Sequence, residues 1–359
     1  MKKIKVFLGA YVNSTQAQCL NCRALAKWLD RDKFMVAART IYSGDLAIDE
    51  LRPDEGLKLF RVCYPAKIWS WVQFVRGLLW CDIAYLPSPG WWKLARLILG
   101  ITGKKGFKTI EGALIGTNLE KAIAREGDEG HVVQSLMYTG NAYSITKWMR
   151  PVNERIVGIV TKPTVLYLGV DSETFFNDVP RDKLTDVAII GSNLFYKGIK
   201  DFFELARRFP QVKFHVIGSG MGKVSPEEEI SRLKLVNCIA EGTLTHAQLS
   251  EKLKTIQLHV FPSRAEGFPK VTLETAAAGV PSVVYDDYGA DEWITTGKDG
   301  FVVKTLDEMA SVIQDLLDHP EKLQPLADNA RALAARFDWK VRVKDWEREI
   351  ERIVRGVES

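Results

Sequence analysis

The 359-residue sequence is poor in the residues that build disulfide frameworks and metal sites: it has five cysteines and five histidines. An odd set of thiols with Cys63, Cys81 and Cys238 standing alone does not read as the framework of a secreted domain. The pair in "CLNC", Cys19 and Cys22, has a metal-like or redox-like spacing. A closed zinc site needs two more ligands, and the helical periodicity of "AQCLNCRALAKWLD" puts the pair on a packed helix face instead. No apolar run approaches the roughly 18 residues of a membrane span. In "MKKIKVFLGAYV" the apolar run breaks within about seven residues, too few for a signal-peptide core, so a first buried strand and a cytoplasmic chain with reduced thiols are expected. A formal net charge of +4 gives no basic face for nucleic acid.

Two nucleotide fingerprints are also missing. In "GSGMGKV" a phosphate loop would need glycine at Ile217 and a hydroxyl at Val224, and the dinucleotide motif would need glycine at Lys223.

What is present is alternation. "IKVFLG", "FMVAAR", "LKLFRV", "CDIAYL", "FKTIEG" and "HVVQSL" read as strands of the first half, with helices such as "AQCLNCRALAKWLD" and "GWWKLARLILGI" between some of them. A connector punctuated by proline and glycine follows near residues 164–180. A second series, "TDVAIIG", "VKFHVIG", "VNCIAEG", "IQLHVFPS", "PSVVYDD" and "GFVVK", then alternates with further helices. This predicts two α/β, doubly wound parallel-sheet domains facing across a cleft. The expected boundaries are 1–165 and 170–339, with an amphipathic helix over about 340–359 crossing back to the first domain.

Glycine corners follow four strands of the second half, at Gly191, at Gly218 and Gly220, at Gly242, and in "RAEGFPKVTLETAAAG". Glycine lets backbone approach a ligand closely, and a helix start offers free N–H groups, which suits phosphate. In the last corner Pro269 suits a first helical turn and Gly279 a helix end. Glu274 then lies about 7 Å along the helix at about 1.5 Å per residue, and Glu266 lies in the loop before it. Phosphate repels carboxylates, so these two either accept hydroxyls of a ribose or sugar, or Glu266 caps the helix and Glu274 is solvated.

The string "FPSRAEGFPKVTLETAAAGVP" resembles the donor-site signature of retaining GT-B glycosyltransferases, family 4. In order along the chain, "LGVDSETF", "GSNLFYKG", "VIGSG", "GADEWITTGKDGFVV" and "RFDW" resemble other segments of that family. The resemblance implies a GT-B fold of two Rossmann-like domains, the first for acceptor and the second for nucleotide-sugar donor. It implies that Lys197 holds the donor diphosphate in place of a metal, with no cofactor. Glu266 would sit by the transferred sugar and Glu274 on the ribose. Gly191, Ser192, Gly218 and Gly220 would shape the phosphate corners. Thr243 and Leu244 would flank the base, and Phe268, Pro269, Lys270 and Val271 would contact sugar and phosphate. A fixed ammonium and helix N–H donors stabilise a departing diphosphate, and that phosphate takes the acceptor proton, so configuration is retained without a carboxylate base.

The chain departs from the family where Ser192 replaces a usual arginine, for which Lys270 is the candidate substitute. Glu111 replaces a histidine that commonly faces the sugar, and Ala10 follows Gly9 where a second glycine is usual. "DRD", Asp30–Asp32, has the metal-motif spacing of the other glycosyltransferase fold but reads as a helix-end turn.

From Ile83 to Ile110 the sequence has no acidic residue but carries Lys93, Arg96, Lys104, Lys105 and Lys108, with Trp69, Trp71, Trp80, Trp91 and Trp92 close by. Two readings stand: reversible contact with an anionic membrane surface or lipid-linked acceptor, or a sheet-packing helix with snorkelled basic side chains. The whole reading is a retaining, metal-independent glycosyltransferase moving a sugar from a nucleotide diphosphate, UDP by family frequency, to a glycan or lipid-linked acceptor in cell-surface polysaccharide or lipopolysaccharide assembly. Its alternatives are a nucleotide-sugar epimerase of the same architecture and a non-catalytic sugar-nucleotide binder.

Overall fold

The computed structural model describes residues 2–14, 16–41, 51, 56–88, 90–220 and 225–356. The chain divides into two units, Met1–Leu168 with Trp339–Ser359, and Gly169–Asp338.

In the first unit the order is β1 (Ile4–Tyr11), α1 (Ala17–Trp28), β2 (Phe34–Ile41), β3 (Leu57–Val62), α2 (Ala66–Trp80), β4 (Ile83–Tyr85), α3 (Trp92–Thr102), β5 (Lys105–Ile110), α4 (Gly116–Glu126), α5 (Glu129–Met137), β6 (Ala142–Ser144) and α6 (Met149–Val157). The second unit holds α7 (Ser172–Phe175), β7 (Asp186–Ser192), α8 (Ile199–Arg208), β8 (Lys213–Ser219), α9 (Pro226–Leu233), β9 (Cys238–Gly242), α10 (His246–Leu253), β10 (Leu258–Phe261), α11 (Lys270–Ala277), β11 (Ser282–Tyr285), β12 (Gly300–Val303), α12 (Leu306–Asp318) and α13 (Leu323–Arg336). Helix α14 (Trp339–Arg355) returns to the first unit.

Each unit carries one six-stranded sheet, ordered β3-β2-β1-β4-β5-β6 and β12-β11-β10-β7-β8-β9. Every strand pair is parallel. Helices cover both faces, so the middles of β1 and β7 are apolar: Val6, Phe7 and Leu8, and Val187, Ala188 and Ile189, are fully buried. In both sheets the winding reverses at the centre, between β1 and β4 and between β7 and β10, the switch points where ligands gather in such sheets.

Helix α14 is amphipathic, burying Trp339, Val343, Trp346, Ile350 and Ile353 together with the carboxylates Glu347 and Glu349. The Trp346 indole donates to Tyr167 O at 3.1 Å and its ring meets Tyr85 edge-on at 5.2 Å. Glu349 accepts from Tyr143 Oη at 2.8 Å and from Thr164 Oγ1 at 3.0 Å, so the helix is keyed to the first unit by polar bonds as well.

One strand expectation fails. "HVVQSL" lies inside α5, because Asp128 caps the helix by accepting from His131 N at 2.8 Å and Val132 and Ser135 share its buried face. The sixth strand of that sheet is β6, further along.

Candidate functional site

At the switch point of the second sheet, β7 ends in Gly191-Ser192 and the chain turns through Asn193, with φ 55°, to Lys197-Gly198 at the mouth of α8. Gly198 has φ 81°, and a Cβ there would stand 2.1 Å from Pro262 O. Only glycine lets the start of α8 sit this close to the exit of β10. That approach brings Lys197 Nζ to 2.8 Å from Glu266 Oε1, across 69 residues of sequence. Ser263 Oγ donates to the same oxygen at 2.6 Å, and the ammonium lies 5.1 Å from the Phe261 ring centroid. The two side chains are 21% and 13% exposed, so the pair is sheltered but open to a ligand.

Gly191 and Gly218 are register partners of β7 and β8. A Cβ on Gly218 would fall 1.8 Å from Gly191 O, and one on Gly191 would fall 2.9 Å from Lys197 Cδ. The lysine stem therefore lies across a bare backbone corner. Gly220 is buried and Ser192 exposed. Lys223 and Val224, tested above for nucleotide motifs, lie outside the described residues.

Pro269 is the N-cap of α11 and makes no side-chain cap bond, so the helix begins one residue later than the sequence suggests, at Lys270. Glu266 bonds Lys197 and Ser263 in the preceding loop. Phe268 and Pro269 are buried, while Lys270 and Val271 are half-buried. Glu274, one turn further on, is half-buried and has no hydrogen-bond partner among the described residues. Burial pushes its carboxyl above the usual range, against the pull of His246 and Lys270. His246 opens α10, directly after the turn that carries exposed Thr243 and half-buried Leu244. An acceptor-only group with unmet capacity thus sits on the same side as that turn.

Three buried groups escaped the sequence reading. His259, inside β10, is bonded to Ser282 Oγ through Nδ1 at 2.9 Å, and its Nε2 has no partner among the described residues. Burial, then the nearby Lys197 charge, pushes it down to about 3, so it is neutral and adds no cation. Tyr288 Oη and Trp293 Nε1 are likewise buried without partners, their rings stacked at 6.2 Å. Glu266 lies close enough to add to the burial that raises the Tyr288 phenol. The aromatics in "DDYGADEW" are the available signal.

In the first unit, Gly9 and Ala10 are buried at the end of β1, and a Cβ on Gly9 would stand 2.7 Å from Leu86 Cδ2. Glu111 follows β5, and its Oε1 accepts from Asn21 Nδ2 at 2.9 Å, Thr109 Oγ1 at 3.0 Å and Tyr85 Oη at 3.3 Å. It borders a cavity of about 380 Å³ whose wall also includes Gln18, Asn118 and Arg125. Cys19 and Cys22 are buried in α1, which raises both thiols. No helix among the described residues is long and apolar enough to cross a membrane.

The family described as "Glycosyl transferases group 1" matches residues 171–333. The chain is 28% identical over 188 residues, 52% of its own length and 49% of the relative's, to the N,N'-diacetylbacillosaminyl-diphospho-undecaprenol alpha-1,3-N-acetylgalactosaminyltransferase of Campylobacter jejuni. It is 27% identical over 176 residues, 47% of its length and 26% of the relative's, to the poly(glycerol-phosphate) alpha-glucosyltransferase of Bacillus subtilis. The chain thus spans about half the length, or less, of these curated relatives. Among solved structures it is similar to sucrose-phosphate synthase from Thermosynechococcus elongatus, with TM-score 0.78 and 15% identity over 99% of this chain and 100% of that one. It is also similar to Anabaena Alr3699/HepE in complex with UDP-glucose, with TM-score 0.75 and 17% identity over 97% and 100%. By its second unit the chain belongs to the glycosyl transferases group 1 family, glycosyltransferase family 4, on a GT-B fold.

Proposed function

We propose that the chain transfers a sugar, with retention of configuration, from a nucleotide diphosphate to a glycan or lipid-linked acceptor in cell-surface polysaccharide or lipopolysaccharide assembly. The observation that carries this is the Lys197–Glu266 pair at the switch point, set between two glycine corners, with the unpartnered Glu274 on the adjoining helix. Lys197 takes the diphosphate, and Glu266, released from it, accepts sugar hydroxyls. Glu274 accepts the ribose hydroxyls, which favour its charged form. Charge grows on the leaving phosphate as the glycosidic bond breaks, and a fixed ammonium with the N–H groups opening α11 meets it there without metal.

UDP is the proposed carrier, since one similar structure holds UDP-glucose. The first unit is the proposed acceptor domain, with Gly9, Ala10 and Glu111 on that side, and the second unit is the proposed donor domain. The proposed setting is cytoplasmic, peripheral on the inner membrane face. A thermal-shift panel of UDP- and GDP-sugars tests the donor. A ligand bound only by the folded state raises Tm with its concentration over Kd, so a UDP-sugar response with none to GDP-sugars is expected. A flat panel would sink the proposal.

A further inference from the structure

At the switch point of the first sheet lies a second cavity, of about 180 Å³, lined by Gly9, Tyr11, Arg39, Ser70, Phe74 and Trp91 among others. Arg39 is 7% exposed and sits under three rings, 4.6 Å from Tyr11, 5.0 Å from Phe74 and 5.7 Å from Trp91. Its guanidinium donates to Gly9 O at 3.1 Å through Nε and again through Nη2, and to Ser70 O and Oγ at 3.2 Å through Nη1. All of these acceptors are neutral, and Arg39 has no carboxylate partner among the described residues. A buried cation is ordinarily paired. This one keeps its full charge in a cavity wall, where a bound anion would complete it.

The surroundings say which anion. The cavity opens between α2, which supplies Ser70 and Phe74, and the start of α3 at Trp91. Those helices expose large apolar side chains, Tyr64, Ile68, Trp69, Trp71 and Leu79 on and before α2 and Leu97 and Ile101 on α3, beside the exposed basic residues Lys67, Arg76, Lys93 and Arg96. Lys93, Leu97 and Ile101 form one stripe at four-residue spacing. From Leu57 to Ile110 the only acid is Asp82, against nine lysines and arginines, and Asp82 is bonded to Lys5 N at 2.9 Å. Exposed tryptophans and aliphatics edged by basic residues match a bilayer interface, and an anion presented there is a lipid phosphate.

We infer that the Arg39 cavity binds the phosphate of a membrane lipid, with α2 and α3 lying against the bilayer. Resting on the proposed transfer, this makes the acceptor a phosphate-bearing lipid. The guanidinium also braces Gly9 and Ser70, so Arg39→Ala risks the fold. Ser88→Asp, on the cavity rim, instead sets a carboxylate against the cation without emptying any space. The full chain, without nucleotide, is floated with phosphatidylcholine vesicles containing or lacking phosphatidic acid. Wild type should favour phosphatidic acid vesicles by about tenfold or more. Ser88→Asp should lose that preference at unchanged Tm. Ile68→Ser/Trp71→Ser should weaken vesicle binding at unchanged Tm, since both side chains are exposed. Equal binding to both vesicles, or a Ser88→Asp variant that floats like wild type, overturns the inference. So does an Ile68→Ser/Trp71→Ser variant that floats like wild type, because α2 would then not lie against the bilayer. Because no donor is present, a failed donor site leaves these outcomes unchanged.

Discussion

Lys197→Ala should damage stability and nucleotide binding for different reasons, and the two losses are separable. Glu266 is 13% exposed and keeps Ser263 at 2.6 Å, but loses the ammonium that it meets at 2.8 Å. Stranding a carboxylate in a fully buried pair costs about 3–5 kcal/mol, and in an exposed pair about 0–1 kcal/mol. This half-sheltered pair falls between, at about 1–3 kcal/mol. Loss of a charge-assisted bond to diphosphate costs about 1.5–3 kcal/mol, or about 10- to 150-fold in UDP affinity. Adding Glu266→Gln removes the stranded charge, so the double variant should regain most of the stability and none of the UDP affinity. Urea denaturation reads the first and calorimetry with UDP the second. If Lys197→Ala binds UDP like wild type, or the double variant recovers affinity along with stability, Lys197 is a structural partner of Glu266 and the donor assignment fails.

Burial raises the Glu274 carboxyl above its ordinary value of 4.5. The folded state therefore holds a proton that the unfolded chain releases first. Stability is greatest below pH 4.5 for this group and falls as pH rises through the folded value. Glu274→Gln should flatten urea midpoints across that window and raise them at neutral pH, while weakening UDP; a parallel pH profile contradicts this. Gly218→Ala should cost about 3 kcal/mol or more, since its Cβ would meet Gly191 O at 1.8 Å. Gly242→Ala, with φ 68° and nothing within 4 Å, should cost only the left-handed strain of about 1–2 kcal/mol. Equal midpoints for the two would refute the close-approach argument.

The second unit was legible because its chemistry is local. Gly191, Lys197 and Gly198 lie in one turn, and Glu266 to Glu274 in another, so glycine placement and helix punctuation disclosed both corners. What spacing could not disclose was the contact joining them, because the Gly198–Pro262 approach forms only when β7 and β10 lie side by side. Pro269 was read one residue too deep into α11, an error of cap geometry rather than of element type. "HVVQSL" misled for another reason: two adjacent valines have strand propensity, while the deciding residue, Asp128, stands outside the string. Arg39 left no local signal at all. Its wall comes from β1, β2, α2 and the start of α3, and nothing in "VAARTI" distinguishes a cavity cation from a core-edge arginine.

The two switch points treat charge in opposite ways, and that difference makes a demand on the donor. Arg39 is held by neutral oxygens, so an anion reaching it displaces no carboxylate. Lys197 is already matched by Glu266 at 2.8 Å, so a diphosphate alone must break that pair and strand the acid. A ligand that also brings hydroxyls to Glu266 replaces what it breaks. UDP-sugar should therefore bind more tightly than UDP in wild type, by about 1.5 kcal/mol or more, the worth of a hydrogen bond to a charged group. In Glu266→Gln the glutamine never held Lys197 as a counter-ion, so UDP should gain and the ratio of the two affinities should shrink toward one. Calorimetric titration of both ligands into both proteins measures that ratio directly. An unchanged ratio would mean that Glu266 does not face the sugar, whatever the fate of Lys197.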